Sequence, residues 1–286
     1  MSQPVKPTGC SIGLLSWCRK LNFSRMTHVC CSAKEGMVRA SDREGRRAYS
    51  GRDTLTNEMH FRHSETLWQE FPQLKPAVLV LDPIEPIVDL EGRLEPWLRR
   101  ARGRLEKGPE AEMPEIAAWR RAYSQMGLKP TKYRSAAEAL LRRFKREGEL
   151  PRLHPVIDLC NAVSLAFALP VAVFDLAQVN QFLEVRHARG TETYLAWSGE
   201  TEGVPEGEVI FADAADHAHA RRWTFRQSRK STVRPETRHA LVVAEGLHAS
   251  ADADVRELLD ALDHELAGGS ANKRAVLTAA SPTLAF

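Results

Sequence analysis

Three polar side chains recur at every third residue inside a stretch that is otherwise apolar, residues 154–175. We call Asp158, Asn161 and Ser164 the polar stripe. A carboxylate, an amide and a hydroxyl on the wall of an apolar pocket can orient a ligand through hydrogen bonds. The stripe therefore predicts a pocket wall. The alternative is that these groups satisfy backbone atoms of neighbouring strands, because buried polar groups are normally paired.

A second feature is the segment RRWTFRQS, residues 221–228. If it is an extended strand, Arg222 and Arg226 share one face, and Trp223 and Phe225 share the other. Arginine beside aromatic rings binds phosphates and stacks on bases, so the segment indicates nucleic-acid binding. The predicted contacts are Arg222, Trp223, Arg226 and Gln227. The alternative is an edge strand protected from aggregation by charge.

A third feature is the acidic pair Glu208 and Asp213, which flanks an apolar run and is followed by His217 and His219. Both carboxylates are pocket candidates. The two histidines suggest a metal, but a His-x-His pair in a polar turn without a matched third ligand is more typical of a solvent-exposed turn. No metal and no other cofactor is predicted. Cys160 lies on the apolar side of its helix and is expected to be a core thiol.

The elements that must position these residues change in type along the chain. Periodic apolar residues predict helices near 64–71, 91–107, 114–126, 135–147, 154–168 and 251–267, with Pro155 in the first turn of the fifth helix and Ser135 as the N-cap of the fourth. A buried strand is predicted at 76–82, and short β-rich segments follow the fifth helix. The predicted fold class is α+β, with N-terminal helices followed by a strand-rich half.

Composition indicates a soluble globular protein without a membrane span, since 43% of the residues are hydrophobic and 27% are charged. Charge is uneven: residues 93–152 hold sixteen Lys or Arg and eight Asp or Glu. Such a basic segment suits a polyanion, although solvated helix faces are the simpler explanation. Four of the five cysteines lie in the first 31 residues, in no zinc pattern, and no signal peptide is evident. We therefore expect a reduced, cytoplasmic protein.

Three segments follow from these patterns. Residues 1–57 are rich in polar and basic residues and lack periodicity, so we expect them to be disordered or a non-native extension, with a functional basic arm as the alternative. Residues 58–268 are expected to form a single domain. Residues 269–286 are expected to be a flexible tail.

Four motifs in order resemble the B3/4 domain, the tRNA-editing domain of the phenylalanyl-tRNA synthetase beta subunit. They are V-x-D-x-x-N at 156–161, P-V-x-x-x-D at 170–175, G-E-x-x-x-A-D at 207–213 and R-W-x-x-R-Q-S at 222–228. The likeness covers about residues 60–250, and the chain is similar to free-standing versions of the domain. The resemblance implies an α+β domain with a packed-sheet core and adds Asp175 to the pocket candidates.

The resemblance also implies a trans-editing aminoacyl-tRNA deacylase, whose partner is the aminoacylated 3′ end of tRNA. An aminoacyl ester is already activated, so a held water and a stabilised oxyanion suffice for hydrolysis. A polar pocket group that pairs with a side-chain hydroxyl would select the amino acid, and the polar stripe and Glu208 are candidates for it. The expected site is a cavity between the helix that carries Asp158 and the strand that follows Glu208. The basic helices add Arg120, Arg121 and Lys132 to the expected RNA contacts.

One position departs from the family pattern. The family motif carries a histidine two residues before the Phe of the 170–175 segment, where this chain has Ala172. Tyrosine as the substrate side chain, and catalysis itself, therefore do not follow from the resemblance. Two alternatives stay open: a non-catalytic tRNA or amino-acid binding module, and a metabolic enzyme on the same scaffold that acts on a small amino-acid-like ligand. The sequence specifies neither the tRNA nor the oligomeric state.

Overall fold

The computed structural model describes residues 58–268 and 273–286; the prediction for residues 1–57 lies outside this range. The helices are α1 Glu65–Glu70, α2 Leu90–Glu106, α3 Pro114–Gln125, α4 Ala136–Glu147, α5 Pro155–Phe167 and α6 Ala251–Ala267. The strands are β1 His60–His63, β2 Lys75–Leu81, β3 Val171–Asp175, β4 Phe182–His187, β5 Thr193–Leu195, β6 Thr201–Gly203, β7 Val209–Ala212, β8 Ala218–Arg221, β9 Arg226–Gln227, β10 Ala240–Gly246, β11 Arg274–Val276 and β12 Thr283–Ala285.

Local chemistry sets several helix ends as predicted. The Ser135 hydroxyl accepts from the Glu138 backbone N–H at 3.3 Å and so begins α4. Helix α5 begins at Pro155, whose missing N–H costs nothing in a first turn. Both helices therefore begin where their sequence signals indicate.

A four-stranded antiparallel sheet, in the order β11-β2-β10-β3, divides the core into two apolar clusters. Alternate residues of β2 point to opposite sides: Ala77, Leu79 and Leu81 toward one cluster, Val78 and Val80 toward the other. The first cluster contains the inward faces of α2, α4, α5 and α6. Helix α5 therefore packs on one face of this sheet.

A six-stranded sheet packs on the opposite face of the four-stranded sheet. Its order is β12-β1-β4-β7-β8-β9, with β1 parallel to β4 and the other pairs antiparallel. Phe211 of β7 contacts Phe174 of β3, with ring centroids 5.1 Å apart. The second cluster lies between the two sheets and also takes in α1 and most of α3. The α+β class and the packed-sheet core are thus confirmed.

The two ends of the described chain differ from expectation. Strand β1, which was not predicted, precedes α1, whereas the strand predicted at 76–82 is present as β2. The expected flexible tail contains β11, which pairs with β2, and β12, which pairs with β1. Both strands complete sheet edges, and Leu277 between them is buried. In the described ranges, no helix has the length and apolar content that crossing a bilayer requires.

Candidate nucleic-acid interface

The segment after β8 is a tight turn rather than the extended strand that its sequence predicts. Arg222 and Trp223 both adopt left-handed backbone conformations, with φ of 48° and 58°. Non-glycine residues rarely adopt these values unless their surroundings enforce them. The Arg222 N–H donates to Glu208 Oε1 at 3.2 Å, and the Trp223 N–H donates to the Val209 carbonyl at 2.7 Å. The turn therefore directs the side chains of Arg222 and Trp223 into different surroundings.

Trp223 is a core residue and not an RNA contact, which corrects the prediction from sequence. Its side chain is fully buried, and its Nε1–H donates to Glu245 Oε1 at 2.8 Å. His63 Nε2 bonds the same oxygen at 2.7 Å. The Trp223 ring packs edge-on against Trp119 and Phe71, with centroids 5.0 Å apart in each case. The indole thus anchors the turn between the two sheets.

The Arg222 side chain is 20% exposed, with Nη2 3.6 Å from Glu208 Oε2, and belongs to an arginine–aromatic face that we define as Lys132, Tyr133, Arg222 and Phe225. The Arg222 guanidinium lies 4.9 Å from the Tyr133 ring centroid and 5.8 Å from that of Phe225. The two rings meet edge-on at 5.3 Å, and Lys132 Nζ lies 5.2 Å from the Tyr133 centroid. Cations stacked on half-exposed rings offer both charge and a π surface, as single-stranded nucleic acid requires.

Helices α3 and α4 hold this face in place through the backbone of the turn. The Tyr123 hydroxyl donates to the Arg222 carbonyl at 3.2 Å, and the Ala136 N–H donates to the Thr224 carbonyl at 2.8 Å. Burial raises the pKa of Tyr123 well above its usual range, so the phenol stays a donor. Tyr133 itself lies in the loop between the two helices.

Arg226 and Gln227 lie beside the face, on β9. The Arg226 guanidinium is 5.9 Å from the Tyr194 ring centroid. Burial raises the pKa of Tyr194 to about 12 despite the nearby Arg226 charge. The Gln227 amide instead donates to the Val173 carbonyl at 2.6 Å and links β9 to the edge of β3. Arg226 is therefore available to a ligand, whereas the Gln227 amide is already bound.

The three remaining predicted RNA contacts differ in availability. Lys132 and Arg121 are exposed, and within the described ranges no carboxylate lies within ion-pair distance of either. Arg120 is bound to Glu138 Oε1 at 2.8 Å, and Arg134 Nε lies 3.3 Å from the same oxygen. Burial raises the pKa of Glu138, although both arginines oppose that shift. Arg120 is thus partly neutralised, and Arg121 and Lys132 are the free cations of this group.

Glu208 is not placed to read a substrate hydroxyl. Both of its carboxylate oxygens accept from the Arg221 guanidinium, and Oε1 also accepts the Arg222 backbone N–H. The carboxylate therefore supports the turn.

The polar stripe and Glu208 lie on opposite sides of the four-stranded sheet, so the expected cavity between them does not form. Asp158 Oδ1 accepts the Leu153 N–H at 3.0 Å, and burial raises the pKa of this carboxyl. The Ser164 hydroxyl donates to the Leu169 carbonyl at 2.6 Å. Asn161 and Asp158 line a small cleft together with α2 and residues 150–152. Two of the three stripe groups thus pair with backbone atoms of the loops that flank α5, and not with the neighbouring strands that the alternative named.

Asp175 also has a local role. Its Oδ1 accepts the Ala177 N–H at 3.0 Å, and its Oδ2 accepts from the Thr237 hydroxyl at 2.8 Å. Ala172, on the same strand, is half-buried beside Val243 and brings no titratable group.

Asp213 contacts both His217 and His219, which the sequence predicts to lie in an exposed turn. Its Oδ2 lies 3.3 Å from His217 Nδ1 and 3.2 Å from His219 Nε2, and its Oδ1 accepts the backbone N–H of Ala215 and of His217 at 2.9 Å. Burial alone would raise the pKa of Asp213, but the hydrogen bonds from His219 and the His217 backbone hold it well below its usual range. His219 is fully buried, which corrects the prediction that it is exposed.

A second grouping of ionisable side chains lies in the helical layer. Atoms of Glu115, His248 and Asp254 lie within 4.8 Å of one another. The Arg104 guanidinium binds both oxygens of Glu115, at 2.7 and 2.8 Å, and also donates to the Ala166 carbonyl. The Arg104 guanidinium thus already provides a positive charge for Glu115, which a metal ion would otherwise provide.

Comparison with known proteins shows which family part of the chain resembles. A family model described as the B3/4 domain matches residues 118–258. The phenylalanine–tRNA ligase beta subunit of Thiobacillus denitrificans is 37% identical over 73 residues, which are 26% of this chain and 9% of that protein. The same subunit of Chromobacterium violaceum is 27% identical over 147 residues, which are 50% of this chain and 16% of that protein.

A solved structure is also similar: an N-terminal fragment of the phenylalanyl-tRNA synthetase beta subunit from Pyrococcus horikoshii. It is 10% identical, with a TM-score of 0.39, over 72% of this chain and 48% of that chain. The matched segments thus span only a small part of the two ligase subunits. Residues 118–258 thus match the B3/4 domain, and the chain is similar to part of the phenylalanine–tRNA ligase beta subunit.

Proposed function

We propose that this chain is a trans-acting aminoacyl-tRNA deacylase, which binds the 3′ end of a mischarged tRNA and hydrolyses its ester with a positioned water. The observation that carries the proposal is the Arg222 guanidinium stacked 4.9 Å from the Tyr133 ring within a B3/4 domain. Lys132 belongs to the same face, Arg226 lies four residues after Arg222, and Arg121 is exposed on α3; these three cations provide further charge for phosphates. The family match supplies the tRNA-related context.

The chemistry asked of the protein is modest. An aminoacyl ester is reactive enough that orienting one water and excluding wrong geometries gives useful rates. Neither a covalent nucleophile nor a metal is required for such a hydrolysis. The only cysteine of the described residues, Cys160, is buried, and burial raises the pKa of its thiol far above its usual range. We therefore propose direct attack by water.

A second candidate is a tRNA-binding module without turnover. Two observations favour it: the polar stripe lies across a sheet from Glu208, and Ala172 replaces the imidazole of the family motif. The RNA-binding part of the proposal is common to both candidates. Turnover alone separates them.

The test measures binding and release on the same set of tRNAs, each charged with a different amino acid. Release faster than spontaneous ester hydrolysis supports the deacylase, and salt-sensitive binding without release supports the module. Arg222→Ala should weaken binding and flatten the slope of log affinity against log salt by roughly 0.7, the value for one single-strand phosphate contact.

The matched control is Arg99→Ala. Arg99 is an exposed arginine on α2, on the other side of the four-stranded sheet, and its removal changes net charge equally. Arg222→Lys keeps the charge but loses the planar stack, so it should retain the salt slope while losing affinity. Equal effects of Arg222→Ala and Arg99→Ala would refute a specific contact at Arg222.

A further inference from the structure

Asp213 and His217 form a carboxylate–imidazole pair at the surface end of the β7–β8 hairpin. His217 Nδ1 faces Asp213 Oδ2 at 3.3 Å, and the Asp213 carboxylate is fully buried. A buried carboxylate bonded to Nδ1 fixes both the ring orientation and the tautomer that carries its proton on Nδ1. The other nitrogen, Nε2, is then an unprotonated base. This is the relation between base and orienting acid that hydrolases use.

The Nε2 atom of His217 is open to a substrate. The His217 side chain is 35% exposed, and Nε2 makes no hydrogen bond to the described part of the chain. His187 offers a contrast at similar exposure. Its Nδ1 contacts the Gly207 carbonyl and its Nε2 contacts Glu70, so neither nitrogen is available. The free nitrogen therefore separates His217 from His187. His239 also contacts a carboxylate through Nδ1, at 2.6 Å, but that carboxylate, Asp82, is 67% exposed, whereas Asp213 is fully buried.

Charged and titratable side chains from several elements lie near His217. Asp213 lies on one side, with buried His219 behind it, and burial lowers the pKa of His219 so that it stays neutral. The positive charge of Lys230, in the loop after β9, also lowers the pKa of His219. Asp216 precedes His217, but Arg186 and Arg189 lie 3.4 and 3.8 Å from its Oδ1. Asp213 is thus the carboxylate that contacts the His217 ring.

Strand β8 links this pair to the arginine–aromatic face. His217 precedes the strand and Arg222 follows it, five residues later. An extended chain of that length spans at most about 16 Å, at roughly 3.3 Å per residue. Roughly five stacked nucleotides cover the same distance, at about 3.4 Å each. The separation between the Arg222 and His217 backbones is therefore within the length of about five stacked nucleotides.

We infer that His217 is the general base of an ester hydrolysis on the terminal ribose of an RNA, with Asp213 as its positioning residue. This inference rests on the proposed function. His217 Nε2 removes a proton from a water as the water oxygen attacks the ester carbonyl carbon. The tetrahedral intermediate then breaks its bond to the ribose oxygen, which takes the proton from Nε2. The products are the free amino acid and an RNA with an intact terminal hydroxyl, and His217 is regenerated.

The test is the pH dependence of kcat/KM for the full chain on a mischarged tRNA, in wild type and His217→Gln, with His187→Gln as control. The wild-type kcat/KM should decrease on acidification. His217→Gln should lose 10²- to 10⁴-fold in rate, with no such acid limb and unchanged tRNA affinity. His187→Gln should behave as wild type.

Two results would overturn the inference, and they differ in what they say of the proposed function. If wild type turns over and His217→Gln keeps both the rate and the acid limb, the general base lies elsewhere and the deacylase proposal stands. If wild type shows no turnover on any charged tRNA, both proposals fail, and the binding measurement alone decides whether the module remains. Asp213→Asn adds a check: a soluble variant with wild-type tRNA affinity should lose rate as His217→Gln does.

Discussion

The Arg221 guanidinium donates to both oxygens of the Glu208 carboxylate, from Nε at 2.7 Å and from Nη2 at 2.9 Å. The Arg221 and Glu208 side chains are only 6% and 10% exposed. Arg221 also donates to Glu202 at 2.8 Å. A two-point contact of this kind fixes geometry as well as charge. It places Glu208 under the turn that presents Arg222, where its role is structural.

Glu208→Gln is therefore predicted to lower stability rather than to change amino-acid preference. Removing one partner of a buried ion pair leaves the charge of the other uncompensated and lowers the free energy of unfolding. We expect a loss of about 3 kcal/mol, the lower end of the usual range, because Glu202 still pairs with Arg221. The measurement is urea denaturation followed by circular dichroism, beside a survey of charged tRNAs. Glu206→Gln, an exposed change two residues away, is the control and should be neutral. Unchanged stability with altered substrate preference would contradict this role.

Trp223→Phe is predicted to destabilise the domain by at least about 2 kcal/mol. Phenylalanine keeps most of the ring packing but removes the N–H that donates to Glu245, and a hydrogen bond to a charged group contributes about that much. The indole also anchors the left-handed turn. Affinity for RNA should therefore decrease even under conditions in which the variant is still folded. Trp97→Phe is the control, because its N–H reaches Glu265 at 3.2 Å in a half-buried site of the helical layer. Equal losses in the two variants would remove the special role of Trp223.

His219 makes the stability depend on pH in a predictable direction. Burial lowers its pKa from 6.5, so below about pH 6.5 the unfolded chain binds a proton that the folded chain does not. The free energy of unfolding should therefore fall as pH decreases through that window. Asp213, whose pKa is also lowered, loses its contribution only below about pH 3.8, outside the same window.

In His219→Gln, which keeps an amide N–H for Asp213, the drop in unfolding free energy between pH 7.5 and 5.5 should be smaller than in wild type. His264→Gln, in which an imidazole that is 79% exposed is replaced, should leave the drop unchanged. The measurement is denaturation at a series of pH values. A drop of wild-type size in His219→Gln would place the responsible proton on another group.

Local chemistry explains what could be predicted from the sequence. A Ser135 cap or a Pro155 first turn depends on atoms within four residues, so these helices begin where expected. The direction in which α5 points its polar stripe depends instead on which face of the four-stranded sheet it covers. Periodicity shows that a helix has two sides but does not show what packs against each.

The turn at Arg222 and Trp223 shows a different limit. Its left-handed backbone depends on bonds from Glu208, Val209 and Tyr123, which are distant along the chain or on other elements. Alternation of arginine and aromatic residues is therefore a valid strand signal that tertiary contacts override. For Asp213, a signal was present: histidines four and six residues later. That spacing favours an exposed turn, because it does not show the hairpin that folds both histidines back onto the carboxylate.

The C-terminal strands give the last prediction. Residues after 268 carry a weak local signal because β11 and β12 have only three residues each, yet they complete the edges of both sheets. Leu277 is 1% exposed between the sheets, and its N–H donates to the Pro76 carbonyl at 2.8 Å. Leu277→Ala should therefore cost about 2–5 kcal/mol, the range for a buried leucine. Thr283→Ala, an exposed change on β12, should stay within about 0.5 kcal/mol of wild type. Thermal and urea denaturation of both variants measure this difference. A chain that ends at residue 268 and melts at the wild-type temperature would show that the two edge strands contribute nothing to the fold.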